Sequence, residues 1–177
     1  MTIRRVVLAA AVTAAWPALA MDLSSPDVTS GARFALMQVN TRCGGQNRSP
    51  AIVWKGAPPP TKSFALTLYD PDAGNGRGFW HWLIFDIPAR TSELAADAAS
   101  GTGLPREFVQ AKNDFGGTGY DGACPPPGSG THHYEFTLYA LDDATIPFDS
   151  SATGSPLTAY LRSHALAQAT LPAVYSR

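Results

Sequence analysis

Residues 64–87 read FALTLYDPDAGNGRGFWHWLIFDI, and the period of this stretch decides the fold. Phe64, Leu66 and Leu68 alternate with Ala65, Thr67 and Tyr69, as in a strand with one apolar face, and the next residue on that face is Asp70. A carboxylate ends the stripe. Residues 71–78, PDAGNGRG, hold Pro71, Gly74, Gly76 and Gly78, which is turn chemistry that cannot continue a strand. In the strand that follows, simple alternation places Phe79, His81, Leu83, Phe85 and Ile87 on one face. If the two strands pair antiparallel, Asp70 and His81 emerge at the same edge on the same side. A polar pair at the rim of an apolar wall is how a small binding site is usually built.

Downstream, THHYEFTLYALD (131–142) is a second clear strand, with His132, Tyr134, Phe136, Leu138 and Ala140 on one face and His133, Glu135, Thr137 and Tyr139 on the other. Residues 105–130 between them form a long irregular segment. Its aromatics Phe108, Phe115 and Tyr120 supply packing that a floppy linker lacks, so it reads as an ordered loop over a site. A single inward histidine is more often a core residue bonded to backbone. Asp70, His81, His132 and Tyr134 together, all at strand ends beside Gly/Pro loops, point instead to a shared site.

The flanking chain is less informative. Residues 21–34 read as extended, Arg33–Val39 as a short strand, and Ala51–Trp54 as another brief strand between loops. Residues 89–100 carry a short helical pattern with Thr91 or Ser92 as N-cap and Gly101 and Gly103 as stops. Ser155 and Pro156 open an amphipathic helix running to about Thr170, with Leu157, Tyr160, Leu161, His164 and Gln168 on one side. Residues 171–177 then form a tail.

The first 20 residues have the three parts of a secretory signal: Arg4 and Arg5, an apolar run from Val6 to Ala15, then Pro17 and the small residues Ala18 and Ala20. The run is shorter than the ~20 apolar residues a membrane span needs, so cleavage after Ala20 is the expectation and 21–177 the single mature domain. Losing Arg4 and Arg5 from the 13 basic residues leaves 11 against 14 acidic ones, a net charge of −3. That balance offers nothing to nucleic acid or an anionic membrane. The 16 Gly and 15 Pro favour a loop-rich, mainly β architecture. Two cysteines, Cys43 and Cys124, would meet oxidising conditions after export and are expected to pair, the alternative being two separate buried thiols.

The motifs DPDAG, FWHW, NDFGGTGYDGACPPPGSG, THHY with EFTLYALD, and the upstream CGGQNRSPAIVWKGAP together resemble the phosphatidylethanolamine-binding proteins, in particular the bacterial branch called Raf kinase inhibitor-like. The resemblance runs from about Thr29 to Arg177. It implies one β-rich domain with a large antiparallel sheet, a smaller second sheet and helices, and a small pocket for phosphate-like or phosphorylethanolamine-like groups. Carried onto this chain, the family's ligand residues are Asp70 and Asp72 of the DPDA motif, His81, Pro125 of the proline loop, and His132 and Tyr134 of the His-Arg-Tyr triplet. Three positions depart from the pattern. Gly74 stands where the family has its last proline, His133 replaces arginine, and Ala123 replaces a common proline before Cys124.

The function read from this is an exported protein that binds a small anion or phospholipid headgroup, without turnover, cofactor or metal, and with modulation of a protein partner left open. His81 and His132 are expected to donate hydrogen bonds to the anion, beside the Tyr134 hydroxyl and loop amides from Gly116 to Cys124. Asp70 is expected to hold a histidine tautomer or to accept from a protonated ligand, because a bare carboxylate repels an anion. Two hydrolytic alternatives compete. In one, Asp70, Asp72, His81 and His132 hold a divalent metal; in the other, Cys124 is a nucleophile with His132 as base. No Walker A loop, Cys/His zinc spacing or GxSxG elbow occurs.

Overall fold

A computed structural model describes residues 20–100 and 104–177. The expected leader, apart from Ala20, and the expected helix stops Gly101 and Gly103 lie outside the described residues. The described residues form eight strands in two antiparallel sheets. The smaller is built from β1 (Asp22–Ser24), β2 (Ile52–Lys55) and β5 (Glu93–Leu94), in the order β1-β2-β5. The larger runs β6-β4-β3-β7-β8, with β3 (Ser63–Asp70), β4 (Phe79–Pro88), β6 (Val109–Gln110), β7 (His132–Leu141) and β8 (Ala165–Tyr175). Among the described residues there is one α-helix, α1 (Gly154–His164), which precedes β8.

Each face of the large sheet carries an apolar cluster, and the β7–β8 side is exposed at His133, Glu135, Leu166, Gln168 and Thr170. Phe64, Leu66, Leu68, Trp82, Ile84, Ile87, Tyr134, Phe136 and Leu138 meet Leu23, Ile52, Trp54 and Leu94 of the small sheet in one apolar cluster. Ala65, Leu83, Phe85, Tyr139 and Leu141 pack with Leu157 and Leu161 of α1 in the other. The sheet is therefore the middle layer of three.

The alternation expected for β3 and β7 holds, but that of β4 does not. Leu68 pairs with Trp82 and Tyr69 with Trp80, so His81 is the extra residue of a β-bulge. The bulge turns His81 and Trp82 to the same face. Leu83 and Phe85 consequently pack toward α1 and not beside His81. A second irregularity lies between the Phe64–Ile87 and Leu66–Ile84 pairs, where Asp86 takes φ +56°, and it returns Ile87 to the face of the small sheet.

Three other expectations are corrected. Residues 33–39 are a turn with isolated bridges at Arg33 and Val39, and Leu36 is 59% exposed. Residues 89–100 hold the two-residue strand β5 and a single 3₁₀ turn at Ala98–Ser100, with Asp97 at φ +63°, a conformation no helix interior admits. The C-terminal helix stops at His164, and what read as its last turns and a tail is β8, paired along its length with β7. Pro172 is tolerated there because the Pro172 carbonyl points away from β7 and accepts from the Gly31 amide at 2.8 Å. In a strand the N and C=O of one residue point the same way, so the missing N–H costs the β7 ladder nothing.

Candidate functional site

At one end of the large sheet, the end of β3, the bulge of β4 and the start of β7 meet the loops at 71–78 and 113–131. Between them opens a cavity of about 410 Å³ lined by 14 residues, among them Asp70, Asp72, His81, Pro125, His132 and Tyr134, all six named from the sequence. Phe79, Phe115, Gly74, Cys124, Pro126 and Ser129 complete most of the wall. Among the described residues no Lys or Arg lines it. Three guanidinium groups stand behind the wall: Arg177 Nε–H donates to the Pro125 carbonyl at 2.8 Å, Arg77 Nε–H donates to the Gly74 carbonyl at 3.2 Å, and Arg42 lies over the Phe115 ring at 5.1 Å.

Asp70 is buried as the last residue of β3, and both its oxygens accept. Oδ1 takes the Asp72 amide at 2.9 Å and Oδ2 takes His132 Nδ1–H at 2.7 Å. The other imidazole nitrogen, His132 Nε2, lies 3.0 Å from Ser129 Oγ. Asp72 stands at the mouth, where His133 donates to its Oδ2 through both the backbone N–H at 2.8 Å and Nδ1–H at 2.7 Å. The amide bond first, then the imidazole, hold the Asp72 carboxyl below its usual range. His133 does point outward, as read, but it is the residue that fixes Asp72.

His81 is buried, and its Nδ1–H donates to the Asp121 carbonyl at 2.7 Å. A carbonyl only accepts, so Nε2 of the neutral ring carries a lone pair. Burial lowers the His81 pKa, more than the Asp121 carbonyl and the Asp70 charge raise it, and keeps the ring neutral. Its ring packs 5.3 Å from that of Tyr134 and 5.6 Å from that of Phe115. The Tyr134 hydroxyl is buried with no hydrogen-bond partner within 3.5 Å, and the acceptor it faces is the Asp70 carboxylate. Burial and then the Asp70 charge raise its pKa far above the ordinary phenol range, so it stays an O–H.

These assignments correct the expected donor roles. His81 offers an acceptor, and both His132 nitrogens are engaged. The loop supplies a scaffold through Asp121, whose carboxylate accepts from Asn40 at 2.9 Å and Asn113 at 2.8 Å while its amide donates to the His81 carbonyl at 3.0 Å. Asp121 and Ser129 were not singled out from sequence. Asp121 fixes His81 through its backbone, which leaves no side-chain signature, and the signal for Ser129 is its place three residues before His132 in a Gly-Ser-Gly segment.

Cys43 and Cys124 are joined in a disulfide with Cα atoms 5.5 Å apart. That removes the thiol required for Cys124 as nucleophile. Among the described residues no three His, Cys, Asp or Glu side chains are grouped to hold a metal ion. Asp70 and His132 satisfy each other, as do Asp72 and His133, so the metal-site alternative lacks a converging donor set. Gly74 takes φ +60°, which a proline ring forbids, so the 71–78 loop follows a path of its own where the family pattern has proline. Among the described residues no helix is long and apolar enough to cross a membrane.

The fold has three layers, with a small open-mouthed cavity at one end of its central sheet. The model of the phosphatidylethanolamine-binding protein family matches residues 24–176, and the chain belongs to that family. It is 42% identical to YbcL of Escherichia coli over 162 residues, covering 89% of this chain and 88% of that one. It is likewise 42% identical to YbhB of the same organism over 159 residues, covering 88% and 100%. The crystal structure of E. coli YbcL, described as a new member of the mammalian PEBP family, superposes with a TM-score of 0.86 at 40% identity, covering 90% of this chain and 99% of that one.

Proposed function

We propose that the protein is exported and binds a small phosphate-containing group, free or as a phospholipid headgroup, in the cavity formed by Asp70, Asp72, His81, Pro125, His132 and Tyr134. The observation that carries this reading is a complementary pair of unused groups on one wall: the Tyr134 hydroxyl, buried without a partner, and the neutral His81 ring with its Nδ1–H spent on Asp121. A monoprotonated phosphate or phosphomonoester satisfies both, since its P–O⁻ accepts from tyrosine and its P–OH donates to His81 Nε2; a phospholipid headgroup, a diester with no P–OH, offers its ammonium N–H to His81 instead. A fully ionised phosphate lacks the hydrogen for His81 Nε2 and meets the Asp70 carboxylate. Export is supported by the leader-like first 20 residues and the disulfide.

Calorimetric titration with inorganic phosphate, with soluble phosphorylethanolamine, and with vesicles containing phosphatidylethanolamine separates a free anion from a lipid source. Affinity for the phosphomonoester is expected to fall as pH rises past about 6, where its second proton leaves. The proton that matters sits on the ligand, not on the histidines. Affinity that stays level from pH 5.5 to 8 would count against the reading.

A further inference from the structure

Ser129, His132 and Asp70 stand in one hydrogen-bonded line, with Oγ 3.0 Å from Nε2 and Nδ1 2.7 Å from Oδ2. Asp70 accepts at both oxygens, so the neutral imidazole keeps its hydrogen on Nδ1 and turns the Nε2 lone pair to Ser129. Asp70 is 2% and His132 5% exposed, which locks the ring in orientation and tautomer. Ser129 is exposed and lines the cavity. Its hydroxyl hydrogen has two acceptors within reach, Nε2 and the Pro126 carbonyl at 2.8 Å. Rotation about the Cβ–Oγ bond carries it from one to the other with no heavy atom moving. A hydroxyl beside a base that a buried carboxylate orients is the arrangement acyl transfer requires.

We propose that this cavity also hydrolyses small carboxylic esters, with Ser129 as nucleophile, His132 as general base and Asp70 as the residue that orients it. The activity goes beyond phosphate binding and does not depend on it. Ser129 Oγ attacks the ester carbonyl carbon while its proton passes to His132 Nε2. The bond to the alcohol oxygen then breaks, and His132 returns the proton to the departing alcohol. Water repeats the sequence on the acyl-serine: one proton goes to His132, the acyl carbon separates from Oγ as a carboxylic acid, and the proton returns to Oγ. Charge gathers on the carbonyl oxygen in both steps, and the unpartnered Tyr134 O–H in the same cavity is a donor for it. Phe79 and Phe115, packed edge to face at 4.8 Å on the wall, give a short acyl chain an apolar surface.

A second serine–histidine pair serves as an internal control. Ser163 Oγ also lies 3.0 Å from a ring nitrogen, of His164, but the Asp143 carboxylate is 3.9 Å from that ring and the group stands outside the cavity. The intact protein is treated with an alkyl fluorophosphonate, in which serine attack on phosphorus expels fluoride, and the adduct is mapped by mass spectrometry while p-nitrophenyl acetate hydrolysis is followed in parallel. The adduct is expected on Ser129 and not on Ser163, with hydrolysis reduced about a hundredfold or more in Ser129→Ala and unchanged in Ser163→Ala. Ser129→Ala alters an exposed side chain and should melt like the parent. Labelling of the unaltered protein needs no variant at all. An unlabelled Ser129, or acetate hydrolysis that survives in a folded Ser129→Ala, would overturn the proposal.

Discussion

His81 and Asp121 hold each other by two hydrogen bonds, the ring Nδ1–H donating to the Asp121 carbonyl at 2.7 Å and the Asp121 amide returning to the His81 carbonyl at 3.0 Å. The first bond fixes which nitrogen of the ring is bare, and burial keeps the ring neutral. Because the folded state binds this proton less readily than the unfolded chain, stability should decline as pH falls from about 6.5 toward the lowered pKa of the folded state, and level off below it. Urea unfolding midpoints at pH 7.5 and 5 measure the decline. His81→Gln should flatten it; an equal decline in the variant would assign the effect to other groups.

Tyr134 buries a hydroxyl that makes no hydrogen bond. Leaving such a group unsatisfied costs about 1–3 kcal/mol, so Tyr134→Phe should be as stable as the parent or more stable by about 1 kcal/mol. The same change should weaken phosphate binding about tenfold, the worth of one hydrogen bond to a charged group. Stability and affinity would then move in opposite directions. A large loss of stability would show that the hydroxyl already has a partner.

The Cys43–Cys124 disulfide closes a loop with a sequence separation of 81 and borders the cavity through Cys124. In the chain-entropy model such a link contributes about 4 kcal/mol. The double variant Cys43→Ser with Cys124→Ser should lose roughly that much in denaturant unfolding. A loss below about 1 kcal/mol would mean that the reduced chain is already ordered around residues 41–47 by Asn40 and Asn47, which bond to the 120–122 segment.

His133→Ala leaves the amide that holds Asp72 and removes the imidazole. The Asp72 carboxyl should therefore titrate nearer its ordinary value but remain below it, as followed by NMR. Both side chains are substantially exposed, at 62% and 41%, so the change in stability should stay within about 0.5 kcal/mol. An Asp72 titration that does not move would assign all the depression to the backbone bond.

Much of this molecule is written in its alternating strands. In β3 and β7 the period of two is unbroken toward the small sheet, so Asp70, His132 and Tyr134 could be placed on one face from the sequence, and all six residues named there line one cavity. In β4 the period fails after His81, because a bulge inserts a residue without changing the composition. The last strand misled for a different reason: Leu157 and Leu161 set a helical rhythm that Gln168 continues by chance, while the alternating residues of β8 are mostly small alanines that mark no clear face. The hydrogen-bond roles of the histidines were beyond reach, since a tautomer is set by its partner and Asp121 presents that partner through its backbone.

The outer side of β8 has a further consequence. Gly31 and Phe34 donate to the Pro172 and Val174 carbonyls, and Val174 donates to the Ala32 carbonyl, so the 31–34 segment lies along this border of the sheet like a hem. The opposite border, β6, is only two residues long. The hem reaches only Pro172 and Val174, so strand addition is blocked at that end of β8, while at the opposite margin β6 is too short to template another polypeptide.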